Sequence, residues 1–429
     1  MIGIVMFVVA LLMLLTGFPV AFVFGGIALI FGVFAEGAEL FAFMPFRIQN
    51  IMENTVLMAV PLFVFMGIVL QKTKLAEQLL ESMGKLFGSV RGGLAISTIL
   101  VGGLLAASTG VVGASVVAMG LISLPVMLKY NYDKKLACGT ICAAGTLGQI
   151  IPPSVILIIL GDVMGIPVGD LFKAAVGPGL ILVVSYITYI LIYTYFNKEV
   201  APAIPIDPDD GSRAQQVKDA IIAILPPLLL MLVVLGSIFM GIATPTESSA
   251  LGGVGALVLA ALYRQFSWKM LFESSLETIK ITAMVFAILL GATAFSMAFT
   301  YTGGDVIIEE ALTGLPGDKM GFLILSMLVV MVLGFFIDFV EISFIIVPML
   351  APVADAMGIA PVWFAILIAM NLQTSFLTPP FGFSLFYLKG VAPANVQTID
   401  IYKGVVPFII IQVIVVISIL FFPNIYGLQ

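Results

Sequence analysis

Histidine is absent from this chain of 429 residues. A zinc site built on imidazole, a haem with a proximal His and a Ser–His catalytic pair are therefore excluded. Charge is almost as scarce. Only 10% of the residues are Asp, Glu, Lys or Arg, against about a quarter in soluble globular proteins. A soluble enzyme of this length needs far more charge to cover its surface. Disorder is excluded as well, because it requires low hydrophobicity and high net charge, and here 61% of the residues are hydrophobic. The two cysteines, Cys138 and Cys142, lie four apart in an apolar run. They stack on one helix face as small packing residues, and the spacing lacks the CxxC of a redox pair. The net charge of −6 is carried mostly by loops. The N-terminus, MIGIVMFVVALLMLLTGF, has no basic segment before its apolar run. It reads as a first membrane helix rather than a cleaved signal.

What is present in quantity is apolar sequence in blocks long enough to cross a bilayer, about 20 residues each. The blocks fall near 2–15, 18–35, 51–70, 93–127, 136–165, 174–197, 220–241, 245–263, 280–300, 320–352, 361–388 and 405–423. The blocks at 93–127 and 320–352 are too long for one crossing and carry polar residues midway. In the first these are Ser108, Thr109, Gly110, Gly113 and Ser115; in the second, Asp338, Glu341 and Ser343. The blocks at 136–165 and 361–388 each contain a double proline, Pro152-Pro153 and Pro379-Pro380. Proline removes an amide donor and clashes with the preceding turn, so each pair breaks its helix.

The breaks recur in order. The two double prolines, and likewise Ser115 and Ser343, are separated by about 227 residues; TGFP at 16–19 and ATP at 243–245 share nearly that offset. The chain therefore reads as two related halves, 1–197 and 220–429, joined by a Pro-rich, mixed-charge linker at 198–219. Each half holds one long hairpin-like segment followed by one proline-broken helix. Lys and Arg in short loops mark the cytoplasmic side. Lys72, Lys74, Lys85 and Arg91 precede the first long segment, and Lys129, Lys134 and Lys135 follow it, so both its ends are expected inside. Asp305, Glu309, Glu310 and Asp318 precede the second, and Asp355 follows it, so both its ends are expected outside. Two re-entrant hairpins entering from opposite faces define an inverted repeat, the plan of many secondary transporters. On this reading both termini are periplasmic and the linker is cytoplasmic. The stretch KLAEQLLESMGKLFGSVRGG and the segment 303–315 have the pattern of amphipathic interfacial helices; ordinary solvated loop helices are the alternative.

Ionised carboxylates inside an apolar run are costly and default to an ion or substrate path. That singles out Asp338 and Glu341; the alternative is a wet hairpin tip that merely solvates them. The matched first tip, AASTGVVGAS, has no acid and offers hydroxyls and loose carbonyls. Irregular backbone at mid-membrane depth is tolerated only where it is buried in protein or lines a cavity. The proline breaks GTLGQIIPPS and LQTSFLTPPFG thus place Thr146, Gly148 and Gln149 opposite the first tip, and Thr374, Ser375 and Thr378 opposite the second. Carbonyl and hydroxyl oxygens suit a hard cation, and the positive end of a half-helix suits an anionic group. A third polar island, MGIATPTESSALGG, either borders the binding cleft through Thr244, Glu247, Ser248 and Ser249 or is a surface turn with an N-cap at Thr246. The four arginines, Arg47, Arg91, Arg213 and Arg264, all lie in loops or at segment ends. An anionic substrate would then be held by helix N-termini, hydroxyls and bound cations. Without His, a proton relay is poorly supplied, and sodium is the natural coupling ion.

Other classes fit less well. A channel needs a continuous polar pore, whereas these polar residues form mid-depth islands. An intramembrane protease needs paired catalytic Asp or a Ser–His pair. A proton-pumping subunit needs a chain of buried Lys, Glu and His.

In sequence order, TGFPVAF, STGVVGAS, GQIIPPS, ATPTES, IDFVEIS and TSFLTPP resemble the large membrane subunit of tripartite ATP-independent periplasmic (TRAP) transporters, over essentially the whole chain. The resemblance implies an all-α polytopic bacterial inner-membrane importer of the elevator type, driven by a sodium gradient, and no enzyme. It implies as partners a four-helix small membrane subunit on a separate polypeptide and a periplasmic substrate-binding protein. It implies an organic acid substrate, the sialic-acid group first and C4-dicarboxylates next. It implies no cofactor beyond the coupling Na⁺. A proton- or sodium-coupled carboxylate transporter working without a binding protein is the alternative. Carried onto this chain, the family's ion positions fall on Ser108, Thr109, Ser115 and Gly148 in the first half, and on Asp338, Ser343, Thr374 and Thr378 in the second. Ser154, Thr244, Glu247 and Ser375 are the candidates for the substrate side.

Overall fold

The computed structural model describes residues 1–73, 75–204 and 213–428; the linker prolines at 205 and 208 and Lys74 lie outside these. Among the described residues the regular elements are all helical. The first half runs α1 (Ile2–Leu14), α2 (Val20–Glu36), α3 (Met44–Met52), α4 (Ala59–Lys72), α5 (Leu75–Phe87), α6 (Gly93–Thr109), α7 (Val112–Lys129), α8 (Lys134–Thr146), α9 (Val155–Met164) and α10 (Val168–Phe196). The second runs α11 (Arg213–Phe239), α12 (Pro245–Leu262), α13 (Trp268–Tyr301), α14 (Gly304–Thr313), α15 (Asp318–Leu333), α16 (Phe339–Glu341), a π-helical turn (Ile342–Ile346), α17 (Val347–Ala356), α18 (Pro361–Leu377), α19 (Phe383–Val391) and α20 (Thr398–Phe421). Seven described helices are long and apolar enough to cross a membrane. Their outward faces are apolar too: on α11, Leu225, Leu229, Leu232 and Val233 are exposed. A continuous greasy face of this kind is tolerated against lipid and costly against water.

The order of elements repeats. A helix pair (α1–α2, α11–α12), a helix leading to the arm (α4, α13), a short arm (α5, α14), a hairpin, a broken helix and a closing helix occur in each half. Packing crosses between halves reciprocally: α2 lies on α13 and α12 on α4, while α8 lies on α20 and α18 on α10. This is an inverted-repeat transporter fold with two hairpins and two proline-broken helices. The closest approaches use glycine. An added Cβ on Gly139 of α8 or on Gly404 of α20 would strike the other helix's backbone. In lipid such small-residue contacts replace the hydrophobic force that drives helix association in water.

Local chemistry explains the breaks. Gly110 sits at φ +62° and ends α6, letting the chain turn back through extended Val111 into α7. Between α8 and α9 lie a 3₁₀ turn, Leu147–Gln149, and the cis Pro152–Pro153 bond. Between α18 and α19 lie extended Thr378 and the cis Pro379–Pro380 bond. Asp133 caps α8 by accepting from the amides of Lys135 and Leu136 at 2.9 and 3.1 Å. The arm α5 is amphipathic as expected. It buries Leu79, Leu80 and Met83 and packs on α6 and α11, while Glu81 and Lys85 pair at 3.2 Å on its outer face.

Three boundaries differ from the sequence reading. Helix α11 starts at Arg213, so the end of the expected linker at 198–219 is already helical. Helix α13 starts at Trp268, ahead of the apolar block expected near 280. Its charged first turns are stabilised by Lys72 at the end of α4, which pairs with Glu273 and Glu277 at 3.7 and 3.3 Å. The cap of α12 is Thr244 rather than Thr246, because Pro at the first helical position moves the start back by two residues.

Candidate functional site

The first hairpin tip and the first break meet. Gly148 packs against the backbone of Ala106, one turn before the tip, and an added methyl would overlap that carbonyl. At the tip, Ser108 donates to Leu105 O at 2.7 Å and Thr109 to Ala106 O at 3.3 Å. The Thr109 and Ser115 hydroxyls lie 2.8 Å apart. Ser115 is also 3.2 Å from Val111 O. On the facing break, Thr146 donates to Ala143 O, and Ser154, at the start of α9, donates to Gln149 O at 2.6 Å. Ser108, Thr109, Ser115, Thr146, Gln149 and Ser154 are all buried. A hydroxyl that has donated its proton to a local carbonyl still carries lone pairs, so this cluster is rich in oxygen donors. Gln149 stands out, since neither its amide oxygen nor its nitrogen has a hydrogen-bond partner among the described residues.

The second tip meets the second break in the same way. Gly334, after α15, lies against the side chain of Ser375 on α18. Asp338 caps α16 by accepting from Phe339 N at 2.6 Å. Glu341 and Ser343 are buried, and Glu341 Oε2 and Ser343 Oγ lack partners among the described residues. Thr374 donates to Met370 O at 2.9 Å, Ser375 to Leu372 O at 2.7 Å and Thr378 to Thr374 O at 2.7 Å. The Phe339 and Phe376 rings pack at 6.2 Å beside them. Buried polar atoms without partners cost roughly 1–3 kcal/mol each, and most buried polar groups are satisfied. Such atoms occur at both tip–break junctions, on Gln149, Glu341, Ser343 and Gln373, and among the described residues they occur also on Ser123, Thr140, Tyr186, Thr282, Ser326 and Gln412.

The structure brings Ser108, Thr109, Ser115, Gly148 and Ser154 to one junction. At the other, Gly334 meets Ser375 and Phe339 meets Phe376, with Asp338 and Ser343 on the tip side and Thr374, Ser375 and Thr378 on the break side. Thr244 and Glu247 go to neither. Glu247 Oε2 accepts from the amide and hydroxyl of Thr244 at 2.8 and 2.9 Å, and Thr244 Oγ1 accepts from Glu247 N at 3.2 Å. This is a reciprocal capping box on an exposed helix start. Beside it Thr246 donates to Thr55 O at 2.6 Å, tying α12 to the loop before α4. Ser248 is buried against Ser237 at 2.8 Å. That polar island is therefore a structural turn.

Two participants escaped the sequence reading. Gln373 is fully buried one residue before Thr374, and both its side-chain polar atoms lack partners among the described residues; its signal is an amide side chain, with Asn371, inside an otherwise apolar stretch. Gly67 of α4 touches the first tip directly, and a Cβ there would meet the backbone of Ser108 and Thr109. Nothing local to α4 marks that glycine.

Paired oxygen-lined junctions at mid-chain helix breaks, repeated in inverted halves, define a membrane transport protein. Residues 7–425 match the family model described as the DctM component of the tripartite ATP-independent periplasmic transporter, and the chain belongs to that family. It is 30% identical to the ectoine/5-hydroxyectoine TRAP transporter large permease UehC of Ruegeria pomeroyi, over 98% of this chain and 96% of that one. It is 28% identical to the sialic acid TRAP transporter large permease SiaM of Vibrio cholerae, over 96% and 94%. It is 29% identical to the isethionate TRAP transporter permease DctMQ of Oleidesulfovibrio alaskensis, covering 96% of this chain and 64% of that longer protein. Among solved structures, the YdaH transporter of Alcanivorax borkumensis has the same fold, with a TM-score of 0.62 at 15% identity, over 91% of this chain and 90% of that one.

Proposed function

We propose that this chain is the translocating subunit of a sodium-driven, binding-protein-dependent importer of an organic acid anion in a bacterial inner membrane. The observation that carries this reading is the matched pair of junctions, each a hairpin tip seated on a proline-broken helix and lined by hydroxyl and carbonyl oxygens. Among the described residues no group of three or more His, Cys, Asp or Glu comes together, and such hydroxyl-rich surroundings suit a hard monovalent cation. Ser108, Thr109, Ser115 and the backbone at Gly148 hold one ion. Asp338, Ser343, Thr374 and Thr378 hold another. Bound sodium orders the tips, and Ser154 and Ser375 then face the substrate's anionic group. The hairpins and broken helices move as a body past a scaffold that includes α1, α2, α4 and α11–α13, which is an elevator. The partners are a four-helix small membrane subunit and a periplasmic binding protein that delivers the substrate.

The substrates named for the relatives differ, so the substrate rests on the resemblance to the sialic-acid group, with C4-dicarboxylates next. The test is uptake into proteoliposomes containing both membrane subunits, with the binding protein added outside. An inward sodium gradient should drive accumulation of sialic acid only when the binding protein is present. Equal uptake without it would establish the carboxylate carrier that works alone. The buried, unpartnered Glu341 Oε2 beside Asp338 favours a second reading, proton coupling at the second tip. Uptake driven by a pH gradient with sodium absent would establish that reading instead.

A further inference from the structure

We propose that the cleft between α10 and α11 is a binding site for one phospholipid with an amine headgroup, such as a phosphatidylethanolamine. A cavity of about 450 Å³ opens there, lined solely by apolar side chains and glycine. Leu104 of α6 and Pro152 at the first break form one wall. Gly179 of α10 and Leu232, Leu235 and Gly236 of α11 form the others. Leu232 is 62% exposed, so the cavity opens on the membrane-facing side of α11. Nothing in the fold fills it: a Cβ on Gly236 would have no atom within 4 Å. Water does not settle in a space without polar partners. Taking ~30 Å³ per methylene, about the volume of a water molecule, the space holds roughly 15 carbons, the length of one acyl chain.

A second cavity of mixed lining lies at the N-terminal end of α10 and the C-terminal end of α11. It is lined by Asp162, Asp170 and Lys173 together with Ile238 at the end of α11. Lys173 lies six residues before Gly179 on α10, so an acyl chain in the apolar cleft places its headgroup beside it. Asp170 and Lys173 are both exposed, and neither forms an ion pair among the described residues. Asp162 accepts from Asn54. One ammonium with two carboxylates complements a phosphate that carries an amine better than it complements an anionic headgroup. The occupant would touch the first hairpin and the first break on one side and α11 on the other.

The test uses the full chain in nanodiscs of equimolar phosphatidylethanolamine and phosphatidylglycerol, then detergent release and native mass spectrometry. The wild type should retain one phosphatidylethanolamine. Gly236→Phe fills the cleft and should lower retention about tenfold or more, the worth of a few buried methylenes. Lys173→Gln should lower it about fivefold. Leu251→Phe, on the exposed face of α12, should leave it unchanged, and each variant must remain monodisperse. The proposal is overturned if the wild type retains no lipid, if phosphatidylglycerol is retained equally, or if Leu251→Phe acts like Gly236→Phe. It is also overturned if adding the small membrane subunit expels the lipid, because a protein helix would then be the occupant. None of these outcomes depends on sodium coupling.

Discussion

The hydroxyls of Thr109 and Ser115 lie 2.8 Å apart across the turn of the first hairpin. The contact joins the last residue of α6 to the first turn of α7, so it fixes the tip in the shape that faces the first break. It also places two oxygens side by side in a buried site. Ser115→Ala leaves the helices intact and removes one of them. The expected stability loss is about 1 kcal/mol. Half-saturating sodium for uptake should rise about tenfold, equivalent to ~1.4 kcal/mol of ion binding. Sodium titration of uptake, alongside a thermal melt, checks both numbers; an unchanged sodium dependence removes Ser115 from the ion site.

Asp338 caps α16, and one substitution separates that role from the ion binding proposed for it. As an N-cap it accepts from Phe339 N, and asparagine does that about as well. Asp338→Asn should therefore melt within about 0.5 kcal/mol of the wild type, while sodium-driven uptake is lost with the charge. Full uptake in this variant would confine Asp338 to capping.

Gly67 lets α4 lie directly on the tip. Gly67→Val forces α4 and the backbone at Ser108 and Thr109 apart, with an expected cost of about 1–3 kcal/mol and a severe fall in transport rate. Gly26→Ala, in a helix where nothing lies within 4 Å of the added carbon, should be neutral or slightly stabilising. Comparing melts and initial rates of the two distinguishes a steric stop from a general intolerance of side chains at helical glycines.

Asn54 donates to Asp162 at 2.5 Å, linking the loop before α4 to the end of α9. The same residue's oxygen accepts from Val56 N and Leu57 N. Asn54→Ala loses all three bonds. Asn54→Asp keeps the turn but sets a like charge against Asp162. Both should destabilise, by about 1.5–3 kcal/mol for a bond to a charged group. Restoration of the Asn54→Asp melt by Asp162→Asn would confirm the pairing.

Much of this protein was legible without coordinates, because the relevant signals are local. Apolar blocks of bilayer length, Gly110 in a left-handed turn and the double prolines each act within a few residues, so the hairpins and breaks could be located. Their recurrence at one offset then gave the inverted repeat. The oxygen-rich composition of the tips followed from Ser108, Thr109 and Ser115 in the first and Asp338, Glu341 and Ser343 in the second. What one strand of sequence could not determine is which helix crosses which. Thr244 and Glu247 look like candidates for the cleft because polarity in an apolar chain is conspicuous, yet their T-x-x-E spacing is also that of a capping box, and their mutual hydrogen bonds show that box formed. Gly67 and the Asn54–Asp162 pair carry no local mark, since each acquires its role from a partner distant in the chain. With no histidine and little charge, the sequence alone places this chain in a bilayer and leaves mainly hydroxyls, amides and a few acids as the polar groups inside its apolar blocks. The tertiary structure decided which of those oxygens share a junction, because proximity across helices is set by close glycine contacts and buried faces rather than by spacing along the chain.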